Sequence, residues 1–249
     1  VTSIEILGCR VDDLGPDDAV TRIVELARGD RPSLVVTLGT EMVMEAQRNA
    51  PFRRLVNGAA LSLCDTVGLL CASRLRHGPL RRRVAGVELV ERLAARSAAD
   101  GFSLYFLGGA PGVAQRAAVA MARRYPGARI AGTHDGYFAD DAAVAAAIRA
   151  SGASVLCAGM GSPKQELWLG EHLAACGAPV GIGVGGSFDV LSGAVARAPE
   201  LWRRLGVEWL YRLVREPRRW RRQLALPLFA ILVLGESMGA AMGRRQRTI

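Results

Sequence analysis

Gly159-Met160-Gly161-Ser162-Pro163-Lys164-Gln165-Glu166 sets small residues, a proline and a polar run directly after an apolar segment, residues 153–158. The apolar segment reads as a buried parallel strand, and the polar run beyond the proline as the start of a helix. Backbone amides at such a strand end and helix start suit an anionic ligand. Lys164 is the only lysine in the chain, so it stands out as a candidate contact for such a ligand. The same residues also read as a tight turn between strand and helix, with Pro163 at the first helical position. Polar or glycine-rich groups recur after other apolar runs: Thr37-Leu38-Gly39, Asp65-Thr66, Gly108-Gly109, Thr133-His134-Asp135-Gly136, Gly161-Ser162 and Gly183 to Gly186. Glycines there, Gly39, Gly109, Gly161 and Gly186 among them, mark places where a backbone bends or approaches a ligand closely.

The elements that must position these groups alternate along the first ~190 residues, as expected for an α/β domain. Strands are expected at residues 4–7, 33–37, 61–64, 104–107, 129–131, 154–158 and 180–184, with helical patterns at 19–27, 87–98, 113–125 and 142–150. This alternation predicts a Rossmann-like, mainly parallel sheet with helices on both faces. Ligands of such sheets bind beyond the carboxyl ends of the strands, which is where the polar groups fall. Phe106 to Gly112 looks like a dinucleotide loop but lacks the G-x-G-x-x-G spacing and a subsequent acidic residue for the ribose. A nicotinamide-dependent oxidoreductase is therefore disfavoured.

The chain has 249 residues, half of them hydrophobic, a formal net charge of +9 and a pI near 10.1. These values imply a sizeable core and an anionic partner: a phosphate-bearing ligand, a membrane surface or nucleic acid. Nucleic acid is set aside, because zinc-finger spacing and aromatic RNA-binding signatures are absent. The five cysteines are scattered without C-x-x-C and mostly lie in or beside apolar runs. They read as small core residues in a reducing compartment. With no basic region leading into an apolar stretch at the start of the sequence, a cytoplasmic location is expected.

The character changes after Arg197. Residues 1–196 are expected to form the catalytic core and 197–249 a basic, amphipathic C-terminal appendage. Residues 199–215 read as an amphipathic helix that Glu216-Pro217 breaks. Residues 200–224 hold eight arginines against three glutamates, and residues 224–234 carry no charge. Eleven helical residues span about 17 Å, against roughly 30 Å of bilayer hydrocarbon. The expectation is an interfacial anchor on the cytoplasmic face of a membrane; packing on the core is the alternative.

Taken together, the segments at the strand ends resemble the TagA/WecG/CpsF glycosyltransferases, glycosyltransferase family 26. The matching stretches are Arg83-Val84-Ala85-Gly86, Gly132 to Phe138, Gly159 to Glu166, Gly183 to Asp189, Arg197-Ala198-Pro199, Glu208 to Leu213 and Glu216-Pro217. They occur in the family's order. The resemblance implies transfer of an N-acetylmannosamine-type sugar from a UDP donor to a polyprenyl-diphosphate-linked N-acetylglucosamine, in the synthesis of cell-wall teichoic acid or another surface polysaccharide. It implies an inverting reaction with no cofactor and no metal; the Asp-x-Asp metal motif is absent from a suitable place here. It further implies an active monomer at the membrane, and a homo-oligomer where the appendage is absent or unfolded.

An inverting transfer needs a base for the acceptor hydroxyl. Asp65 matches the family's catalytic aspartate; a helix cap for residues 67–74 is its other reading. Thr37, Arg83 and Gln165 match positions that line the family's pocket, with Arg83 suited to phosphate and Gln165 to sugar or uracil. Arg212, Arg219 and Arg222 match appendage arginines near the acceptor diphosphate. The chain departs from the family pattern twice: Gly39 stands where asparagine is usual, and Thr66 where glycine usually comes after the aspartate. Loss of the asparagine amide motivates a second expectation, a catalytically impaired UDP-sugar-binding protein associated with the membrane.

Overall fold

The computed structural model describes residues 1–200, 202, 208–215 and 225–246. The apolar runs build one eight-stranded sheet from β1 (Ser3–Ile6), β2 (Cys9–Asp12), β3 (Ser33–Leu38), β4 (Leu61–Cys64), β5 (Leu104–Gly108), β6 (Ile130–His134), β7 (Val155–Gly159) and β8 (Val180–Gly183). Their spatial order is β1-β2-β4-β3-β8-β7-β5-β6. Only β1 and β2 pair antiparallel; every other neighbouring pair is parallel. The α/β reading thus holds, with one addition at the N-terminus. Where a single strand was expected at 4–7, the chain turns at Leu7 and Gly8, both with positive φ, and returns as β2. A two-residue turn of that kind matches the twist of its flanking strands. Arg10 and Asp12 disguise β2 in the sequence, but both are engaged. The Asp12 carboxylate accepts from the Ser62 backbone N–H at 2.7 Å, and Arg10 donates to the Ala59 carbonyl at 2.6 Å.

The helices are α1 (Pro16–Ala27), α2 (Thr40–Arg48), α3 (Ala50–Gly58), α4 (Val67–Leu75), α5 (Gly86–Asp100), α6 (Val113–Arg124), α7 (Asp141–Ser151), α8 (Lys164–Cys176), α9 (Ser187–Leu191), α10 (Glu208–Arg215) and α11 (Ala225–Gln246). Alternation along the strands sends side chains to opposite faces. Val35, Phe106, Cys157 and Ile182 join α1, α5, α6 and α9 in one core layer. Val36 and Leu38 pack with α2, α3 and α4, while Leu107 and Leu156 pack with α7 and α8 on the other face.

The C-terminal segment departs from its expectation in length. The helix does not stop at 234 but runs through the Gly-rich stretch to Gln246. Within it the Glu236 carboxylate pairs with Arg76 at 3.0 Å. Phe229 and Val233, four residues apart, are buried among Met42, Leu69 and their neighbours. Leu228, Ile231, Leu232 and Leu234 are exposed. Among the described residues no helix is long and apolar enough to cross a membrane.

Candidate active site

Register decides which strand ends meet. Leu38 of β3 lies opposite Cys64 of β4, so Gly39 and Asp65 leave the sheet at the same level. On its other side β3 pairs with β8, and β8 with β7, which brings Val184 to Ser187 and Gly161-Ser162 to the same edge. Together they enclose a cavity of about 480 Å³, at the carboxyl ends of β3, β4, β7 and β8. Of the residues singled out from the sequence, Thr37, Gly39, Asp65, Arg83, Gly161, Gln165 and Gly186 all line it. Trp209 of α10 and Leu226 of α11 line it too, so the C-terminal segment forms part of its border.

Asp65 sits between β4 and α4, its backbone N–H donating to the Leu38 carbonyl at 2.9 Å. The capping position of α4 is Thr66, whose side chain makes no capping hydrogen bond. The cap reading therefore does not describe Asp65. Thr66 Oγ1 is buried without a hydrogen-bond partner among the described residues.

One wall is knit by Gln165. Its Oε1 accepts from the backbone N–H of Gly161 at 3.1 Å and of Gly185 at 3.0 Å. Its Nε2 donates to Glu166 Oε1 at 2.6 Å. The Gln165 amide, expected from sequence to meet sugar or uracil, is thus turned into the wall. Thr37 Oγ1 donates to the Gly183 carbonyl at 2.7 Å, tying β3 to the same wall. Glu166 is fully buried. Burial pushes its carboxyl above the ordinary range, against the pull of hydrogen bonds from Gln165 and Ser162.

Two arginines line the cavity beside the Glu41 and Asp65 carboxylates. Arg83 directly precedes Val84, whose backbone N–H donates to the Cys64 carbonyl at 2.7 Å. Arg197, used in the sequence only as a motif and a boundary, lines the cavity as well. Its guanidinium pairs with Glu88 at 2.7 Å and Glu91 at 3.4 Å, and Glu91 also holds Arg124 at 2.5 Å. The Arg197-Ala198-Pro199 motif was the available signal for it. Cys71, the one exposed cysteine, lies in the lining too.

Other candidates fall elsewhere. Lys164 Nζ donates to the Gly136 carbonyl at 3.2 Å and stands over the Phe138 ring, bracing the loop after β6 rather than lining the cavity. Pro163 is the capping residue of α8, one position before the first helical residue. Gly109 is outside the lining. Its N–H donates to Gly159 and its carbonyl accepts from Gly136, fastening the ends of β5, β7 and the β6 loop. Gly108 is demanded by close packing, since a Cβ there would stand 2.3 Å from the Gly159 oxygen. Arg219 and Arg222 lie outside the described residues; Arg212 belongs to α10, its side chain outside them. Among the described residues no three of His, Cys, Asp and Glu converge as a metal site.

A cavity with two carboxylates, Glu41 and Asp65, two guanidiniums and several glycine backbones can take up an anionic ligand and accept a proton beside it. Comparison with known proteins agrees with that chemistry. The chain is 34% identical over 212 residues, 85% of its own length and 82% of the relative's, to the N-acetylglucosaminyldiphosphoundecaprenol N-acetyl-beta-D-mannosaminyltransferase of Bacillus spizizenii. Residues 4–242 match the model of the glycosyl transferase WecG/TagA/CpsF family, and the chain belongs to that family.

Proposed function

We propose that this glycosyltransferase moves an N-acetylmannosamine-type sugar from a UDP donor to a polyprenyl-diphosphate-linked N-acetylglucosamine. The observation that carries the reading is the placement of Asp65, Arg83 and Arg197 around one cavity at the strand ends. The relative's name supplies the acceptor and the sugar. In the proposed inverting step the acceptor hydroxyl oxygen bonds to the anomeric carbon as the bond from that carbon to UDP breaks. The hydroxyl proton passes to the Asp65 carboxylate, and the bonding electrons leave on the diphosphate. Arg83, Arg197 and the backbone N–H groups of the glycine turns meet that growing charge, without a metal or cofactor.

The acceptor's lipid directs attention to the C-terminal helices. Trp209 and Leu226 border the cavity, while Leu228, Ile231, Leu232 and Leu234 form an exposed apolar ridge on α11. In this reading the ridge meets the cytoplasmic face of the membrane, with the basic segment around it drawn to anionic lipid and Arg212, Arg219 and Arg222 near the acceptor diphosphate. The direct test is transfer of label from UDP-N-acetylmannosamine to a short-chain lipid-diphosphate-N-acetylglucosamine, in detergent with the full chain. Product formation supports the reading. UDP-sugar binding with no product from any UDP-hexose leaves the impaired binder that Gly39 raises, and sinks the transferase.

A further inference from the structure

Glu166 is 0% exposed and Gln165 2% exposed, and burial and hydrogen bonds, with no cation among the described residues, set the surroundings of the Glu166 carboxylate. Such a group costs stability unless it fixes something. It accepts from the Ser162 hydroxyl and from the Gln165 amide, and the amide is an unsymmetrical group that can be turned either way. With Nε2 committed to Glu166 at 2.6 Å, Oε1 faces the Gly161 and Gly185 N–H groups. A flipped amide would aim its NH2 at two N–H donors. Gly183 closes the arrangement from the other side. A Cβ there would stand 2.6 Å from Glu166 Oε1 and 2.7 Å from Gln165 Nε2, so the two side chains occupy the space that its missing side chain leaves. The Gly183 carbonyl in turn holds Thr37 Oγ1.

We propose that Glu166 is the positioning residue of the donor site: by accepting from Gln165 Nε2 it fixes the amide orientation that clasps the Gly161 and Gly185 turns into one binding wall. Glu166 itself is not in the cavity lining. It acts through Gln165, and the inference rests on the cavity being the nucleotide-sugar site. Its effect belongs in donor binding more than in the chemical step, since Asp65 stands on a different strand end.

The test exploits the donor-acceptor order of the pair, in the full chain with uridine diphosphate as the calorimetric probe and the donor as substrate. E166Q keeps an acceptor oxygen for Gln165 and is expected to leave the Kd and the donor KM within about threefold. Q165E sets two carboxylates face to face, and both constants are expected to rise at least about tenfold, with kcat changing far less. In Q165E/E166Q the new carboxylate accepts from both glycines and from the new amide, so binding is expected to recover most of that loss. E166L removes the acceptor and is expected to match Q165L, with the double variant no worse than either. If the swapped double variant binds no better than Q165E, the positioning role is wrong, whether or not E166L folds. Additive losses in E166L/Q165L overturn it equally. A wild-type chain that binds no uridine diphosphate overturns the functional reading, and this inference with it.

Discussion

A Cβ added to Gly39 would stand 3.3 Å from Thr66 Cγ2, so the two positions read from the sequence as departures from the family's pattern face each other. Gly39 has φ −112°, a conformation open to any residue. Its lack of a side chain is thus matched to the Thr66 methyl group and not to backbone strain. The pair flanks Asp65 in the cavity. We expect G39N alone to lower stability by about 1–3 kcal/mol through overpacking. G39N/T66G should regain most of it, the signature of coupled neighbours. Thermal melts and transfer rates across the double-mutant cycle measure this; additive effects would show that the contact does not constrain the pair.

For Asp65, replacement by Asn keeps the size and removes the base. Turnover should fall about 10²–10⁴-fold while uridine diphosphate affinity stays within a few-fold. Steady-state kinetics paired with calorimetry separates the two, and unaltered turnover removes Asp65 from the chemistry.

Thiol labelling offers an independent view of the cavity. Burial pushes Cys9 and Cys176 up to about 11 and Cys64 and Cys157 up to about 12, so these four present little thiolate and little access. Cys71 is exposed in the lining. Mass spectrometry after brief iodoacetamide treatment of the native chain should find one labelled cysteine, Cys71, with uridine diphosphate slowing the reaction.

Stability should carry the mark of Glu166. Its folded carboxyl is raised by burial above the ordinary 4.5, so the folded state holds the proton more tightly than the unfolded chain. Its contribution is therefore fully present below that value and is lost as pH rises through the folded pKa. E166Q cannot ionise and escapes that loss. The Tm of E166Q relative to wild type should rise between pH 4 and pH 8; a difference that stays flat or falls contradicts a raised carboxyl.

The two faces of α11 should separate cleanly. F229A removes a buried ring from the layer formed with Met42 and Leu69, and a loss of about 3–5 kcal/mol is expected. I231E/L232E changes exposed positions, so its melting should stay near wild type while sedimentation with anionic liposomes is lost. Equal sedimentation of I231E/L232E and wild type would end the proposal that this ridge meets the membrane.

Much of the fold was legible because it is written in local periodicity. Apolar runs marked seven of the eight strands, and β2 escaped because Arg10 and Asp12 break its pattern while finding polar partners in the fold. The cap of α4 illustrates the local limit: Asp65 and Thr66 are both good capping types, and only the backbone path assigns the position to Thr66. Lys164, conspicuous as the lone lysine, turned out to brace the Gly136 loop, whereas Arg197, one arginine among many, lines the cavity.

By itself the sequence determined the α/β class, the strand ends where a ligand site belongs, and an ordered motif set that identifies the family. Each of these depends on residues near one another in the chain. Tertiary structure alone decided that β3 lies between β4 and β8, which joins Thr37 to Gly183 across 146 positions and Arg197 to Glu88 across 109. It also decided that Gln165 faces two glycine N–H groups, that Gly39 and Thr66 share one space, and that α11 divides into a packed face and an exposed one. Strand order is a matter of which helices cross which sheet face. Spacing along the chain does not reveal it, so every contact that depends on it had to be seen in the fold.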